Sequence, residues 1–229
     1  MISVIIPTFN EAKNIGKLIE HLSQNQHKTA IEIIVSDGGS TDATLAIAAT
    51  AGAKTLLSPQ KGRAAQMDFA ASQAKGNVLY FVHADTKPPV AYFEDIKEAL
   101  LQGYDLGRYL SKYDSKSWLL KLNAALSRLD VFAGMGGDQT LFIIKELYQQ
   151  IGGFNTDMKI MEEFEFCARA RKNGKYKIIK KPVLISARKY ETNSWLKVQI
   201  ANYTIIKMYR KGASQQTMID RYKQMLQPC

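Results

Sequence analysis

"IEIIVSDGGSTDAT", residues 31–44, leads an apolar run directly into an acidic turn that contains two glycines. The run has the composition of a β-strand that is covered on both faces of a parallel sheet. Asp37 ends the run, and the glycines after it permit backbone conformations in which a ligand can come close. Three residues that favour helix starts come next: Ser40, Thr41 and Asp42. The stretch predicts a strand–turn–helix unit, in which Asp37 either binds a ligand or only holds the turn together.

The same alternation extends through residue 101. Apolar runs at 2–7, 31–37, 53–58 and 77–85 alternate with helix-period segments at 11–25, 42–51, 63–74 and 90–101. This order is typical of βαβ units, so we predict an α/β fold with a mostly parallel central sheet flanked by helices. Functional groups in such sheets gather where the strands end at their carboxyl edge.

Beyond residue 102 the alternation loosens. We predict strands at 106–110, 140–144, 176–181 and 183–188, and helices at 116–129, 161–174 and 194–211. No internal repeat or linker separates these elements. We therefore expect one domain over 1–192 and a helical extension over 193–229.

The formal net charge of +10 and the pI near 9.5 favour an anionic partner. Nucleic acid is disfavoured, because the basic residues are scattered and do not alternate with aromatic residues in a recognisable module. No stretch has the apolar length of a transmembrane helix, and the N-terminus lacks the basic region of a signal peptide, so we expect a cytoplasmic protein. The two cysteines, Cys167 and Cys229, do not resemble a disulfide framework.

The motifs that two common classes of phosphate-binding protein use are absent. No G-x-G-x-x-G follows the first apolar run and no Walker lysine motif occurs, which disfavours a Rossmann dehydrogenase and a P-loop NTPase. "VHADT", residues 82–86, offers another way to hold phosphates. Asp85 stands just past an apolar run, where a carboxylate can hold Mg²⁺ or Mn²⁺ that bridges two phosphates. His83 is either a neighbour of that metal or a packed structural residue.

Five motifs in order resemble the family 2 glycosyltransferases, which have the GT-A fold. They read "VIIPTFNEAKNI", "IIVSDGGSTDAT", "VLYFVHADT", "IGGFN" and "EEFEFCARARKNG", and the match covers about the first 190 residues. "KGRAAQMDFAASQAKGNVLYFVHADT", "GGDQTLFI" and "SARKYE" further resemble a small bacterial branch of transferases associated with radical-SAM or selenodomain genes.

The resemblance implies transfer of a sugar, with inversion, from a UDP- or GDP-sugar to a hydroxyl acceptor that the sequence does not identify. Pro7, Phe9 and Glu11 would border the nucleotide, and Asp37 would reach the base. Asp85 matches the last acid of the family's D-x-D metal motif. His83 stands where many members carry the first acid, so the diphosphate and water would complete the metal coordination. The expected donor-binding set also includes Gly38, Gly62, Arg63, Ala84 and Arg188.

Inversion requires a base that deprotonates the acceptor hydroxyl. In the family this base is the second acid of an E-D pair, which here reads Glu162-Glu163. We therefore expect Glu163 to be the base. The alternative is that both residues belong to an acidic first helical turn, where carboxylates offset the positive end of the helix dipole.

Basic residues are expected to oppose the charge of the donor. Lys61 and Arg63 flank Gly62 at a predicted helix start, which is suited to anions, although both residues could be solvated surface charges. By resemblance, Arg188 and Tyr190 would fold over the diphosphate. Asp138 and Gln139 would line the acceptor side.

Segment 194–211 places its apolar residues on one broad arc, with its basic residues away from that arc. Such a helix could lie on an anionic membrane surface, which would put the protein on the inner membrane face. It could equally dock its arc on its own domain.

Two rival functions stay open. A catalytically weak or inactive nucleotide-sugar-binding protein would explain the altered His-Ala-Asp motif. Nucleotidyl transfer is disfavoured, because the first strand is not followed by a glycine-rich loop that carries a lysine.

Overall fold

A computed structural model describes residues 1–24, 27–128 and 140–227. Eight strands, β1 to β8, are described: Ile2–Thr8, Ile31–Asp37, Lys54–Leu57, Val78–Phe81, Thr86–Lys87, Leu106–Tyr113, Leu141–Ile144 and Tyr176–Ile185. Ten α-helices, α1 to α10, accompany them: Ile15–Leu22, Thr44–Thr50, Arg63–Gln73, Tyr92–Leu101, Trp118–Leu126, Lys145–Gln150, Glu162–Ala170, Lys189–Thr192, Trp195–Arg210 and Gln215–Met225. The predicted alternation of strands and helices up to residue 101 is confirmed.

All eight strands form one sheet in the order β3-β2-β1-β4-β7-β6-β8-β5. The pairings β3·β2, β2·β1 and β1·β4 are parallel, and β7 runs antiparallel to β4 and β6. The predicted α/β fold with a mostly parallel sheet is therefore confirmed. The register places Thr8 of β1 beside Asp37 of β2, so both residues reach the carboxyl edge together.

The sheet is buried on both faces around β1. Val4 and Ile6 pack into one apolar cluster with α1, whereas Ile5 packs into a second cluster with Met67 of α3. Successive side chains of a strand point to opposite faces, so an uninterrupted apolar run is what this position requires. β3 is an exception, since it lies at the sheet edge and both of its end residues are exposed.

The structure corrects three predicted strands. The runs at 176–181 and 183–188 form one strand, β8, which continues through Pro182. The register of β6 against β8 shifts between Tyr109 and Leu110, and Leu110 lies opposite Pro182. Proline has no N–H to donate to a sheet, and an irregularity of this kind accommodates it. The run at 77–85 ends as a strand at Phe81, so His83 and Asp85 lie beyond the strand.

The inner face of α9 packs on the domain. Val198, Ala201 and Ile205, three residues of the predicted apolar arc, are fully buried or nearly so. These three side chains therefore face the domain, as the docked alternative predicts. Within the described ranges, no helix combines the length and apolar character that crossing a bilayer requires.

Candidate active site

Two adjoining chambers open at the carboxyl edge of the sheet. The narrow chamber, of about 200 Å³, is lined by Pro7, Thr8, Phe9, Glu11, Arg63, Gln66, His83, Ala84, Asp85 and Arg188. The wide chamber, of about 630 Å³, is lined by Arg63, Asp85, Tyr113, Ile185, Ser186, Arg188, Lys189, Tyr190, Tyr222, Lys223, Leu226 and Gln227. Arg63, Asp85 and Arg188 line both chambers, so they form the boundary between them.

The Asp37 carboxylate is fully buried and accepts four hydrogen bonds. Its Oδ1 accepts from Thr8 Oγ1 at 3.1 Å and from Ser40 Oγ at 2.5 Å, and its Oδ2 accepts from the N–H groups of Gly39 at 2.8 Å and Ser40 at 2.7 Å. In this structure the carboxylate orders its own turn and lines neither chamber. The contact of Asp37 with a base stays a prediction.

Asn10 also fixes this turn, a role that the sequence did not reveal for this residue at the carboxyl edge of the first strand. Its N–H donates to Ser40 Oγ at 2.7 Å, and its Oδ1 accepts from the Thr41 N–H at 2.9 Å. Asn10 has a φ of 56°, a left-handed conformation in which asparagine is enriched. The sequence signal for this role was an asparagine directly after a predicted strand. Through these two hydrogen bonds Asn10 joins the end of β1 to the loop after β2.

Gln66 of α3 lines the narrow chamber and was also missed. Its side chain donates to the backbone carbonyls of Thr8 at 2.7 Å and Ser36 at 2.8 Å, so it ties the ends of β1 and β2 to the helix. A Cβ added to Gly38 would lie 3.1 Å from this side chain. Gly38 therefore permits close packing beneath the turn and does not line a chamber.

Arg188 brings together residues that are far apart in the chain. Its guanidinium binds both oxygens of Glu11, with Nη2–Oε1 and Nη1–Oε2 distances of 2.7 and 3.2 Å. The same Nη2 lies 3.2 Å from Asp85 Oδ2. Two parallel hydrogen bonds to one carboxylate fix the orientation of a guanidinium more firmly than one hydrogen bond does. Both acids of the narrow chamber are thus joined by one cation.

The residues present fit a divalent metal only in part. Glu11 and Asp85 offer hard oxygens of the kind that Mg²⁺ and Mn²⁺ prefer. Within the described residues, however, no three His, Cys, Asp or Glu side chains are grouped as a metal centre. The oxygens of a bound diphosphate would have to complete the coordination, as expected from the single acid of the His-Ala-Asp motif.

His83 and Glu163 form a buried pair. His83 Nε2 lies 2.7 Å from Glu163 Oε1, and the other oxygen, Glu163 Oε2, is buried and has no hydrogen-bond partner within the described residues. Burial disfavours the charged ring of His83, but the Glu163 carboxylate outweighs this effect and raises the pKa of His83. Burial raises the pKa of Glu163, and His83 and Arg63 offset it only in part. The pair can therefore take up and release a proton nearer neutral pH than a solvated glutamate can.

Glu162 forms a second ion pair beside the first. Its Oε1 lies 2.8 Å from Nε of Arg63, the first residue of α3, while the Glu162 side chain is almost fully buried. Gly62 precedes Arg63 with a φ of +126°, which only glycine adopts readily. On the other side, Met161 has a φ of 65° just before α7. Each member of this ion pair thus directly follows a residue with a positive φ.

Of the remaining predicted residues that the structure describes, only Tyr190 lines a chamber. Tyr190 lines the wide chamber and packs edge-to-face on Tyr113, with 5.9 Å between ring centroids. Lys61 lies beside the acidic turn, since its Cε is 3.5 Å from where a Gly39 Cβ would be. Asp138, Gln139 and Cys229 lie outside the described residues. Gly62 lines neither chamber and acts through Arg63.

The sequence matches the model of the family described as Glycosyl transferase family 2 over residues 3–168. Among curated proteins, it is 28% identical over 145 residues to an undecaprenyl-phosphate 4-deoxy-4-formamido-L-arabinose transferase of Aeromonas hydrophila. That alignment covers 59% of this chain and 44% of the relative, so the chain spans less than half the relative's length.

Solved glycosyltransferase structures share the fold. TarS of S. aureus, solved in complex with UDP-GlcNAc, aligns with a TM-score of 0.69 and 18% identity, covering 98% of this chain and 71% of the other. The mannosyltransferase PcManGT of Pyrobaculum calidifontis, in complex with GDP-Man and Mn²⁺, aligns with a TM-score of 0.71 and 16% identity, covering 98% and 69%. The predicted GT-A fold is therefore confirmed.

Proposed function

The chain belongs to glycosyl transferase family 2, and from this premise we propose that it moves a sugar from a UDP- or GDP-sugar to a hydroxyl acceptor with inversion. The observation that carries the proposal is the narrow chamber. It gathers Pro7, Phe9 and Glu11 from the end of β1 with His83 and Asp85 from the loop after β4. The exposed ring of Phe9 offers a surface on which a nucleobase can stack.

The diphosphate would lie at the boundary between the chambers. Asp85 would hold Mg²⁺ or Mn²⁺ there together with the diphosphate oxygens, and the metal would neutralise charge on the leaving group. Arg188 and Arg63 stand at the same boundary. We expect Arg188 to give up part of its contact with Glu11 and Asp85 and to bind a phosphate oxygen, since guanidinium binds phosphate and carboxylate by the same geometry.

Glu163 is the proposed base. It would take the proton of the acceptor hydroxyl as the hydroxyl oxygen forms a bond to the anomeric carbon and the bond from that carbon to the diphosphate breaks. Oε2 is the oxygen left for the proton, because His83 already holds Oε1. Oε2 is buried and Glu163 lines neither chamber, so neighbouring side chains would have to move for the acceptor hydroxyl to reach it. His83 would then keep Glu163 oriented and ionised, and Glu162 would hold Arg63 in place.

The wide chamber is the proposed acceptor side. Three tyrosines, Tyr113, Tyr190 and Tyr222, line it together with Lys189 and Lys223. Lys189 Nζ lies 5.2 Å from the centre of the Tyr222 ring. Such a lining suits an acceptor that combines an apolar or aromatic body with an anionic group.

The rival is a nucleotide-sugar-binding protein without significant turnover. One observation favours it: Arg188 already binds both Glu11 and Asp85, and His83 already binds Glu163. These contacts would fix the geometry of a binding site even in a protein that does not catalyse transfer. The radical-SAM or selenodomain branch, the boundary between 1–192 and 193–229, and the cytoplasmic location stay predictions.

Glu163→Gln separates the two functions. We expect release of nucleoside diphosphate from the donor to fall at least about a hundredfold, because glutamine cannot accept the proton, while donor affinity stays unchanged. Glu165→Gln is the matched control. It lies on the same helical turn, but its carboxylate binds Arg169 and not the site, so turnover should be retained. Equal turnover of wild type and Glu163→Gln would exclude Glu163 as the base.

A further inference from the structure

Two neighbouring helices, α5 and α9, each expose a stripe of large apolar side chains. Six residues between 46% and 71% exposed form the stripes: Trp118, Leu122, Leu126, Leu196, Ile200 and Tyr203. Spacings of three and four residues place each set on one side of its helix. The helices are joined where Trp195 Nε1 donates to Asn123 Oδ1 at 3.2 Å. We call these six residues the α5/α9 face.

The charged side chains of α5 and α9 themselves have one sign. The sequences of α5 and α9 contain no acidic residue, and Lys121, Lys197 and Lys207 are exposed on them. Trp118 and Tyr203 are of the two residue types that are enriched where a bilayer meets water. An apolar stripe flanked by lysine is the pattern of a helix that lies in a membrane interface.

We propose that the α5/α9 face is a docking surface for an anionic lipid bilayer. The opposite side of α9 is already buried on the domain through Val198, Ala201 and Ile205, so the helix would lie flat on the bilayer and hold the domain beside it. This face differs from the apolar arc predicted from the sequence, which is the buried side of the same helix.

Charge favours lipid over protein as the occupant. A second copy of this chain would bring two lysine-bearing faces together in molecules that each carry a net charge of +10. Lysine is also depleted in protein–protein interfaces, whereas it strengthens binding to anionic lipid. An anionic bilayer satisfies both the apolar stripes and their basic flanks.

The face adjoins the wide chamber. Asn123, which joins α5 to α9, also donates to the Tyr190 hydroxyl at 3.3 Å, and Tyr190 lines that chamber. Docking would therefore bring the chamber close to the lipid headgroups. Membrane binding itself does not depend on the proposed transferase activity, and the two can be tested separately.

Co-sedimentation of the full chain with vesicles tests the proposal. We expect binding to vesicles of phosphatidylcholine mixed with phosphatidylglycerol, weaker binding as salt is raised, and none to phosphatidylcholine alone. Replacing Lys121, Lys197 and Lys207 together by Gln should lower the partition coefficient about a hundredfold. Equal binding to both kinds of vesicle, or binding to neither, would overturn the proposal.

A second variant tests the apolar stripes. Trp118→Gln, Leu196→Gln and Ile200→Gln combined should lower binding at least about tenfold. The control is Leu57→Gln with Leu101→Gln, which removes two exposed apolar side chains from β3 and α4 and should leave binding unchanged. Melting temperatures of all variants verify folding. If the wild type instead forms a dimer that the combined Trp118→Gln, Leu196→Gln and Ile200→Gln variant abolishes, the face is a protein interface and the proposal is wrong.

Discussion

His83 and Glu163 link the sequence motif of β4 to that of α7 through one hydrogen bond of 2.7 Å. The sequence marked His83 as a departure from the D-x-D pattern but did not indicate its partner, because the two residues are 80 positions apart and no local pattern fixes that contact. The same holds for Arg188 and Glu11, which are 177 positions apart. The position of these residues near the carboxyl edge of the sheet was predictable from the sequence, whereas their ion pairs required the folded chain.

The pair makes activity depend on pH. Glu163 must be ionised to act as a base, and burial holds its pKa above the ordinary glutamate value, so activity should fall as pH drops through that raised pKa. His83 lowers the pKa of Glu163 and partly offsets burial. In His83→Asn this offset is lost, so the pKa of Glu163 should rise further and the acidic limb of the kcat/KM profile should move to higher pH.

A pH profile of nucleoside diphosphate release measures this shift. His27→Asn is the control, since His27 is exposed and pairs with Glu94 away from the chambers. An acidic limb that stays in place in His83→Asn would show that His83 does not act on the base.

Among the elements, the strands were predicted best where burial on both faces of the sheet requires an uninterrupted run of apolar residues. The predicted and observed bounds of β2 agree, because an apolar run that ends in an acidic glycine turn allows one assignment. β8 was predicted as two strands, because proline normally interrupts a central strand. In the structure the register against β6 skips two residues of β8, Lys180 and Lys181, just before Pro182. The two-residue β5 and the four-residue α8 have no periodicity to detect.

α9 offers a matched test of its two faces. Ile205 is 2% exposed and packs on α7 and α10 side chains, whereas Ile200 on the same helix is 50% exposed. Ile205→Ala should lower the free energy of unfolding by about 3 kcal/mol, because it leaves a cavity in the core. Ile200→Ala should lower it by less than about 0.5 kcal/mol. Urea titration measures both, and equal losses would contradict the packing of α9 described above.

In the whole molecule, one sheet edge supplies the narrow chamber and the C-terminal helix α10 completes the wide one. Tyr222, Lys223 and Leu226 come from the end of the chain and face a chamber that also contains Asp85. The fold class could be predicted from the alternation of the first half and from the family motifs. The contribution of the C-terminal residues to the wide chamber could not be predicted, because the pattern of an amphipathic helix does not indicate which surface the helix packs against.

The central claim is that the narrow chamber binds a nucleoside diphosphate through a metal held by Asp85. Melting temperatures measured with UDP, GDP, their sugars and NAD, each with and without Mn²⁺, test it most directly, because a ligand that binds only the folded chain raises the melting temperature. We predict a rise of about 5 °C with one nucleoside diphosphate at a hundredfold excess over Kd, only with Mn²⁺, and its loss in Asp85→Ala. No rise with any nucleotide, or the same rise with NAD, would contradict the claim.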